Sequence, residues 1–243
     1  MNAQPFCVTA GLQTPVILTT DAYLTLDSLL GAAVFARTGE AEAAVQEIPL
    51  AQTDGIFHGS AGFLDSVLLK APGAGFKLGI QPTEEMWLPA YQTGTSEDKA
   101  TGRKFRNNKR LVRRVDTVRG EYSTTLDAYS AFAAAQITWF GCGEMKAVRD
   151  LLGEITSVGK KSRQGWGAIV GFHLEEIDVD LSLSRQRRGM DRPMRPIPAA
   201  TWQAWGRDIT PALLTRECAV RPPYFCGPKI RCVVPATRDL KGA

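Results

Sequence analysis

The residues from 103 to 119 could bind phosphate, because they hold the densest run of positive charge in the chain. Eight basic side chains face a single acid there, which gives the run a local charge of +7. Subtracting that value from the net charge of +4 leaves −3 for the rest of the chain. The basic side chains are Arg103, Lys104, Arg106, Lys109, Arg110, Arg113, Arg114 and Arg119. Cations this close together repel one another unless a polyanion lies beside them, so the run predicts contact with a nucleic-acid backbone.

Apolar side chains interrupt this basic run, and among them Phe105 could stack on a base or displace one. Two other interpretations stay open. The run could be a solvated, partly disordered loop, or it could bind duplex DNA in general. Its valine-rich, weakly helical composition does not favour the recognition helix that sequence-reading proteins place in the major groove.

Residues 159–167 form a second candidate binding segment, with three glycines and three cations in nine positions. Glycine has no Cβ and tolerates positive φ, so backbone amides in such a loop can approach a phosphate closely. The glycines are Gly159, Gly165 and Gly167, and the cations are Lys160, Lys161 and Arg163. A purely structural role, as a helix cap and a strand entry, would account for the glycines but not for the cations. Trp166 could stack on a base or pack in the core.

A nuclease is the alternative to a binding protein, because metal-independent ribonucleases activate a 2′-hydroxyl with a histidine or a similarly tuned base. The chain has two histidines. His58, between glycine and serine residues, is better placed than His173, and Tyr122 or Lys160 could assist it. An isolated histidine is more often structural, so binding without catalysis is the main prediction.

Metal, cofactor and hydrolase chemistry have little support in the sequence. Cys218, Cys226 and Cys232 have spacings that match no usual zinc motif. The acids at 176, 178 and 180 share one face of a predicted strand, but alternate residues lie about 7 Å apart, too far to chelate one ion. No GxSxG, HExxH, paired CxxC or GxxxxGK[ST] motif occurs. The sequence therefore predicts no metal and no cofactor.

The elements that position these segments follow from apolar spacing. A helix is predicted from an N-cap at Thr25 to Gly39, and another over 144–155. Strands are predicted at 7–12, 16–19, 56–57, 67–69, 129–140 and 169–183. The order indicates an α+β protein with a ferredoxin-like (RRM-like) βαββαβ core.

The chain divides, by prediction, into a domain at 1–184 and a Pro/Arg-rich C-terminal extension at 185–243. Residues 72–121 are predicted to be a basic arm or hairpin inserted in the domain. The extension is expected to be an irregular tail, with a short helix near 201–206, that packs on the core or on a partner. The extension is predicted to be an extended basic strap along nucleic acid or a neighbouring subunit, or alternatively a solvated tail. Its basic residues are Arg185, Arg187, Arg188, Arg192 and Arg195.

Composition is consistent with a protein that works in the cytoplasm. The 243 residues are 44% hydrophobic and 22% charged, which suits a large buried core. We expect no signal peptide and no membrane contact, because no apolar run reaches the length of a spanning helix. The five cysteines are expected to be reduced thiols rather than a disulfide framework.

A basic, glycine-rich loop that ends in Gly165, Trp166 and Gly167, between the last helix and the last strand, resembles the signature of the RAMP superfamily of CRISPR-associated proteins. Further segments of the chain resemble the subunit of type IV CRISPR effectors that caps the 5′ handle of the guide RNA. These segments are 8–16, 26–30, 57–61, 116–122 and 148–152.

The resemblance implies a non-catalytic protein that grips the 5′ repeat-derived handle of a guide RNA (crRNA). It also implies assembly with backbone filament subunits and a large subunit, in defence against foreign DNA that the protein itself contacts only indirectly. In that role the eight cations of the basic run and Phe105 would form an arm along the RNA. Lys160, Lys161, Arg163 and Trp166 would hold the handle against the core, with Gly159 opening the loop.

Overall fold

The computed structural model describes residues 3–18, 23–65, 67, 69–77, 97–98, 103–104, 125–222, 224 and 227–236. Its strands are β1 (Gln4–Leu12), β2 (Val16–Ile17), β3 (Gln52–Thr53), β4 (Ile56–Phe57), β5 (Phe63–Asp65), β6 (Leu69–Lys77), β7 (Glu97–Asp98), β8 (Arg103–Lys104), β9 (Thr125–Ala133), β10 (Gln136–Gly143), β11 (Ile169–Glu176), β12 (Ser184–Arg187), β13 (Met190–Pro193), β14 (Ile197–Pro198), β15 (Leu214–Cys218) and β16 (Ile230–Val234). Its helices are α1 (Leu26–Thr38), α2 (Ala43–Gln46), α3 (Met145–Leu152) and α4 (Ala199–Ala204). The predicted α+β class is confirmed.

The chain forms two compact units, one of residues 1–72 with 130–243 and the other of residues 73–129. In the second unit, β7 and β8 pair antiparallel, with Glu97 opposite Lys104 and Asp98 opposite Arg103. The division into a domain at 1–184 with an arm at 72–121 stays a prediction.

A four-stranded sheet in the order β11-β1-β10-β5 organises the first unit, and each of its pairings is antiparallel. One face carries Phe6, Val8 and Trp139, which pack with residues of α1 and α3 in the largest hydrophobic cluster. The other face carries Cys7 and Phe140, which pack with Phe63 and Met194. Because side chains alternate along each strand, both faces of the sheet are covered.

The helix predicted from Thr25 to Gly39 is confirmed as α1. Its last turn ends at Gly39, which adopts φ 73° and donates its N–H to the carbonyl of Phe35. This is a left-handed C-cap that glycine adopts without strain. The helix predicted over 144–155 is shorter, since α3 ends at Leu152.

Several predicted strands differ from the structure; at 67–69, for example, Val67 lies outside any strand and β6 begins at Leu69. The strand predicted over 129–140 is two strands, because β9 pairs with β2 whereas β10 pairs with β1. The strand predicted over 169–183 ends at Glu176, which pairs with Phe6 close to the start of β1. The predicted alternation fails beyond that point, where Val179 is 62% exposed and Ser182 is fully buried.

Where the structure describes it, the segment after Arg185 is not an irregular tail or an extended strap. It folds into a β12–β13 hairpin, the short helix α4, and a sheet in the order β14-β16-β15. Two of its prolines, Pro193 and Pro198, are the last residues of β13 and β14. A proline at the end of a strand interrupts little of the hydrogen-bond ladder, so the proline-rich composition was misleading.

Arg195, which the sequence assigned to that strap, is instead fully buried in an ion pair with Asp27 of α1. Its guanidinium donates to Asp27 Oδ1 at 3.1 Å, to the carbonyl of Gly59 at 3.0 Å, and to the Tyr224 hydroxyl at 2.8 Å. The Tyr224 hydroxyl in turn donates to Asp27 Oδ2. Burial would lower the pKa of Arg195, but Asp27 and Tyr224 hold it above its ordinary value. The network joins α1 to the C-terminal segment.

In the part of the chain that the structure describes, each cysteine is a free thiol, namely Cys7, Cys142, Cys218 and Cys232. The described helices include none with the length and apolar character needed to cross a membrane.

Candidate nucleic-acid interface

The glycine-rich loop at 159–167 is anchored to residues 14–17, which connect β1 to β2 and include β2. The N–H of Lys160 donates to the carbonyl of Ile17 at 3.0 Å, and the N–H of Gly167 donates to the carbonyl of Pro15 at 2.9 Å. Thr14 Oγ1 donates to the carbonyl of Gly165 at 2.8 Å and accepts from the N–H of Ala168 at 2.9 Å. The loop is therefore held at both ends by hydrogen bonds to one short stretch of backbone.

Packing explains two of the three glycines. All three adopt positive φ, at 84° for Gly159, 85° for Gly165 and 66° for Gly167. A Cβ on Gly167 would lie 1.8 Å from the carbonyl oxygen of Val158, and one on Gly159 would lie 2.7 Å from that of Ile17. A Cβ on Gly165 would meet nothing within 4 Å. A packing role is thus real at Gly159 and Gly167, but the predicted helix cap at Gly159 is wrong, because α3 ends at Leu152 and is capped by Gly153.

Packing does not explain two of the three cations of this loop. Lys160 and Arg163 are exposed, and Lys161 is half-buried. Lys161 adopts φ 60°, a left-handed conformation that a lysine occupies only with strain of about 1 kcal/mol or more. It precedes a single 3-10 turn, Ser162–Gln164. An ordered backbone thus brings three cationic residues into one short turn, followed by the half-buried Trp166.

Most of the predicted basic arm lies outside the described residues. Arg103 and Lys104 form the short strand β8. Phe105, Arg106, Lys109, Arg110, Arg113, Arg114 and Arg119 are not among the described residues, and neither is Tyr122. Their role in binding stays a prediction.

His58, the candidate base, is held in a hydrogen-bonded chain of three side chains. Its Nε2 lies 2.7 Å from Thr53 Oγ1, and its Nδ1 lies 2.7 Å from Asp180 Oδ2. Burial would raise the pKa of Asp180, but hydrogen bonds from His58 and Ser182 lower it below its ordinary value. The side chain of His58 is 16% exposed. Both ring nitrogens are engaged within the protein, so a bound RNA would have to displace Thr53 to reach Nε2.

Cys142 completes a set of three donor atoms that could hold a metal ion, since its Sγ and one atom each of His58 and Asp180 lie within 4.8 Å of one another. Nitrogen, sulfur and oxygen donors suit Zn²⁺. Ligands of a tetrahedral zinc ion lie about 3.3 Å apart, however, as bond lengths of about 2.0–2.1 Å require. His58 and Asp180 are 2.7 Å apart and share a hydrogen bond. A zinc ion could bind both only if this bond broke and the two side chains moved apart.

Comparison with protein families identifies the chain. The model of the family described as CRISPR type IV associated protein Csf3 matches residues 76–231. That span covers more than half of the 243 residues. The chain belongs to this family. The predicted relationship to type IV CRISPR proteins is confirmed, and the Csf3 match includes both the basic run and the glycine-rich loop. No curated protein matches the chain.

Sequence reasoning missed several residues that shape these sites in the Csf3-family chain. Thr14, which anchors the glycine-rich loop, gave no signal beyond its position before a proline. The β3–β4 hairpin that carries Thr53 toward His58 did have a signal, because Asp54 and Gly55 form the type of turn that joins hairpin strands. Asp180 was assigned to a strand edge with the other acids, whereas it lies beyond β11 and faces His58.

The pairing of Asp180 with His58 predicts a dependence of stability on acidic pH. Because the folded-state pKa of Asp180 is lowered, its contribution is present above the ordinary pKa of an aspartate and is lost as the pH falls through the folded value. We expect Asp180→Asn to lower the free energy of unfolding by about 1 kcal/mol at neutral pH, since partial exposure weakens the bond. Urea unfolding at a series of pH values should show the difference shrinking toward acid. A difference that stayed constant with pH would contradict this assignment.

Proposed function

We propose that this Csf3-family protein grips the 5′ repeat-derived handle of a guide RNA within a type IV CRISPR complex and does not cleave it. In this proposal it caps a filament of backbone subunits beside a large subunit and meets target DNA only through the guide, in the cytoplasm. The observation that carries the proposal is the glycine-rich loop, a fixed backbone that gathers Lys160, Lys161 and Arg163.

The topology supports a ferredoxin-like core of the RAMP type. Along the chain, β1, α1, β5, β10, α3 and β11 follow one another in the order strand, helix, strand, strand, helix, strand. In space the strands lie in the order β11-β1-β10-β5 with antiparallel neighbours. This is the βαββαβ arrangement in which each helix connects two strands of one sheet. The glycine-rich loop then lies between the second helix and the last strand, where the resemblance expects it.

The loop is suited to a phosphodiester backbone rather than to a nucleoside triphosphate. It runs from α3 toward β11, so it lacks the helix N-terminus that follows the loop in nucleotide-binding proteins. Anchoring by Thr14, Pro15 and Ile17 fixes the backbone before any ligand binds. Little order therefore has to be created on binding, which favours affinity. The basic run at 103–119 would add electrostatic attraction to phosphates that does not depend on the RNA sequence.

Removing the loop cations tests this proposal. We expect Lys160→Ala/Lys161→Ala/Arg163→Ala to weaken the binding of a labelled repeat-handle RNA by about tenfold or more. If each cation neutralises one phosphate, the slope of log affinity against log salt should flatten by about 2, from about 0.7 per contact. Fluorescence anisotropy across a salt series measures both quantities.

Lys146→Ala/Arg149→Ala, which removes two exposed cations from α3, is the matched control and should bind nearly as tightly as the wild type. Equal weakening in this control and in the loop variant would show that affinity depends only on net charge. That result would contradict a dedicated binding site in the loop.

The same preparation tests the nuclease alternative. The protein should leave repeat RNA intact in the absence of metal ions, because a 2′-hydroxyl would reach Nε2 of His58 only by displacing the Thr53 hydroxyl. Specific cleavage that disappears in His58→Ala would replace the binding assignment with a ribonuclease.

A further inference from the structure

The β12–β13 hairpin concentrates arginines on one of its faces. Arg185 lies directly opposite Arg192, and Arg187 lies opposite Met190. Residues opposite each other share a face, and so do alternate residues along a strand, so Arg185, Arg187 and Arg192 point the same way. Like charges directly opposite in an antiparallel pair are destabilising. The hairpin therefore places three guanidinium groups on one of its faces.

The acid of this hairpin lies on its opposite face. Asp191 lies opposite Gln186 on the other face, where its carboxylate pairs with Nε of Arg207 at 3.4 Å. Burial lowers the pKa of Arg185, and the neighbouring charge of Arg187 lowers it further. Arg187 thus acts on Arg185 as a neighbouring like charge.

The turn of the hairpin adds a fourth arginine under backbone strain. Arg188 adopts φ 52° and Gly189 adopts φ 73°, the two left-handed positions of a type I′ turn. Asparagine, aspartate or glycine normally occupies the first position, and a side chain such as arginine is strained there. Strain kept at an exposed tip is typical of a functional position.

A pocket of about 360 Å³ opens beside these arginines. Arg187, Arg188 and Arg192 line one part of it, and apolar side chains that include Leu213, Leu214 and Pro235 line the rest. The guanidinium of Arg192 donates to the carbonyl of Ala212 at 2.8 Å, which fixes it at the pocket wall. The volume is in the range of sites that hold a small organic group.

We propose that the β12–β13 hairpin and this pocket form a second binding site for single-stranded RNA, separate from the glycine-rich loop. The guanidinium groups bind backbone phosphates, whose geometry they match with paired donors, and the apolar wall receives a base or a ribose. The inference rests on the proposed function for the identity of the ligand. A nucleotide has both a phosphate for the cations and a base or ribose for the apolar wall. An acidic protein surface would use only the cations, so a nucleotide is the better fit.

Two sets of variants of the full-length protein test this site, with labelled oligouridylate as the probe in anisotropy measurements. Arg187→Ala/Arg192→Ala should weaken binding by about tenfold and flatten the salt slope by about 1.4, from about 0.7 for each lost contact. Arg188→Gly should relieve the turn and raise the Tm by about 2 °C while it weakens binding several-fold. Higher stability together with lower affinity is a result that a purely structural role for Arg188 would not produce.

Controls separate this inference from the proposed function. Lys146→Ala/Arg149→Ala should leave affinity near the wild-type value, and equal weakening for oligothymidylate would support recognition through phosphate. Hairpin variants that bind RNA like the wild type, while the glycine-loop variant loses affinity, would overturn this inference alone. Absence of RNA binding by the wild type would overturn both proposals. Loss of binding to a poly-glutamate peptide, with RNA affinity unchanged, would assign the hairpin to a protein partner and overturn the RNA site.

Discussion

Replacing Arg195 with alanine is expected to lower the free energy of unfolding by about 3–5 kcal/mol, because the change leaves the buried carboxylate of Asp27 without its cation. Asp27 and Arg195 are both fully buried, so water cannot replace the missing partner. Tyr224 would still donate to Asp27, since burial and the nearby carboxylate raise its pKa and keep the phenol protonated. One neutral donor does not offset a lost guanidinium. Urea unfolding at neutral pH measures the loss.

The exposed ion pair between Arg37 and Glu154 is the matched control, since its side chains are 50% and 46% exposed. Arg37→Ala should change the free energy of unfolding by no more than about 1 kcal/mol. The double substitution Arg195→Met/Asp27→Leu should recover a large part of the Arg195→Ala loss, because a buried pair replaced by apolar groups leaves no orphan charge. A loss of under 1 kcal/mol in Arg195→Ala would show that the pair does not support the fold.

The second large effect is expected at Gly167, where alanine should destabilise the protein by about 3 kcal/mol. Left-handed backbone adds about 1–2 kcal/mol for a residue with a Cβ, and forcing that atom into a filled site adds about 1–3 kcal/mol more. The Cβ would collide with the carbonyl oxygen of Val158. Val158 cannot easily move away, because its N–H donates to the carbonyl of Gly167 at 2.8 Å. Thermal and urea unfolding measure the change.

Gly165→Ala isolates the contribution of packing. Its φ is also strongly positive, but its Cβ would project into open space. We expect a loss of about 1–2 kcal/mol from backbone strain alone. Equal losses at both glycines would mean that the loop moves away from Val158 at little cost, and the account of a pre-anchored loop would then be wrong. RNA affinity should fall more for Gly167→Ala than for Gly165→Ala for the same reason.

Local patterns in the sequence were sufficient for α1 and the glycine-rich loop. The apolar spacing of Leu26, Leu30 and Val34, closed by Gly39, defines α1 because a helix is made from contacts between near neighbours. The glycine-rich loop was equally visible, since positive φ and close packing leave glycine as the residue that fits. These features require only a few consecutive residues.

What the sequence could not predict depends on partners that are distant along the chain. The alternation at 177–183 continues the pattern of β11, but the pairing of β11 with β1 ends at Glu176 and Phe6. Arg195 looked like one more cation in a basic strap, because nothing near it indicates Asp27. Arg185 and Arg192 became neighbours through a turn at Arg188 and Gly189 that the arginine-rich composition concealed.

The buried pair between Asp27 and Arg195 also limits how much of the protein can fold while it is being synthesised. Asp27 and Arg195 are 168 positions apart, so a nascent chain that has not yet released residue 195 from the ribosome holds a carboxylate in α1 with no guanidinium to meet it. Docking of that helix in its final form must wait for the C-terminal part of the chain. Ribosome-bound intermediates that end before residue 195 therefore keep an unfinished core.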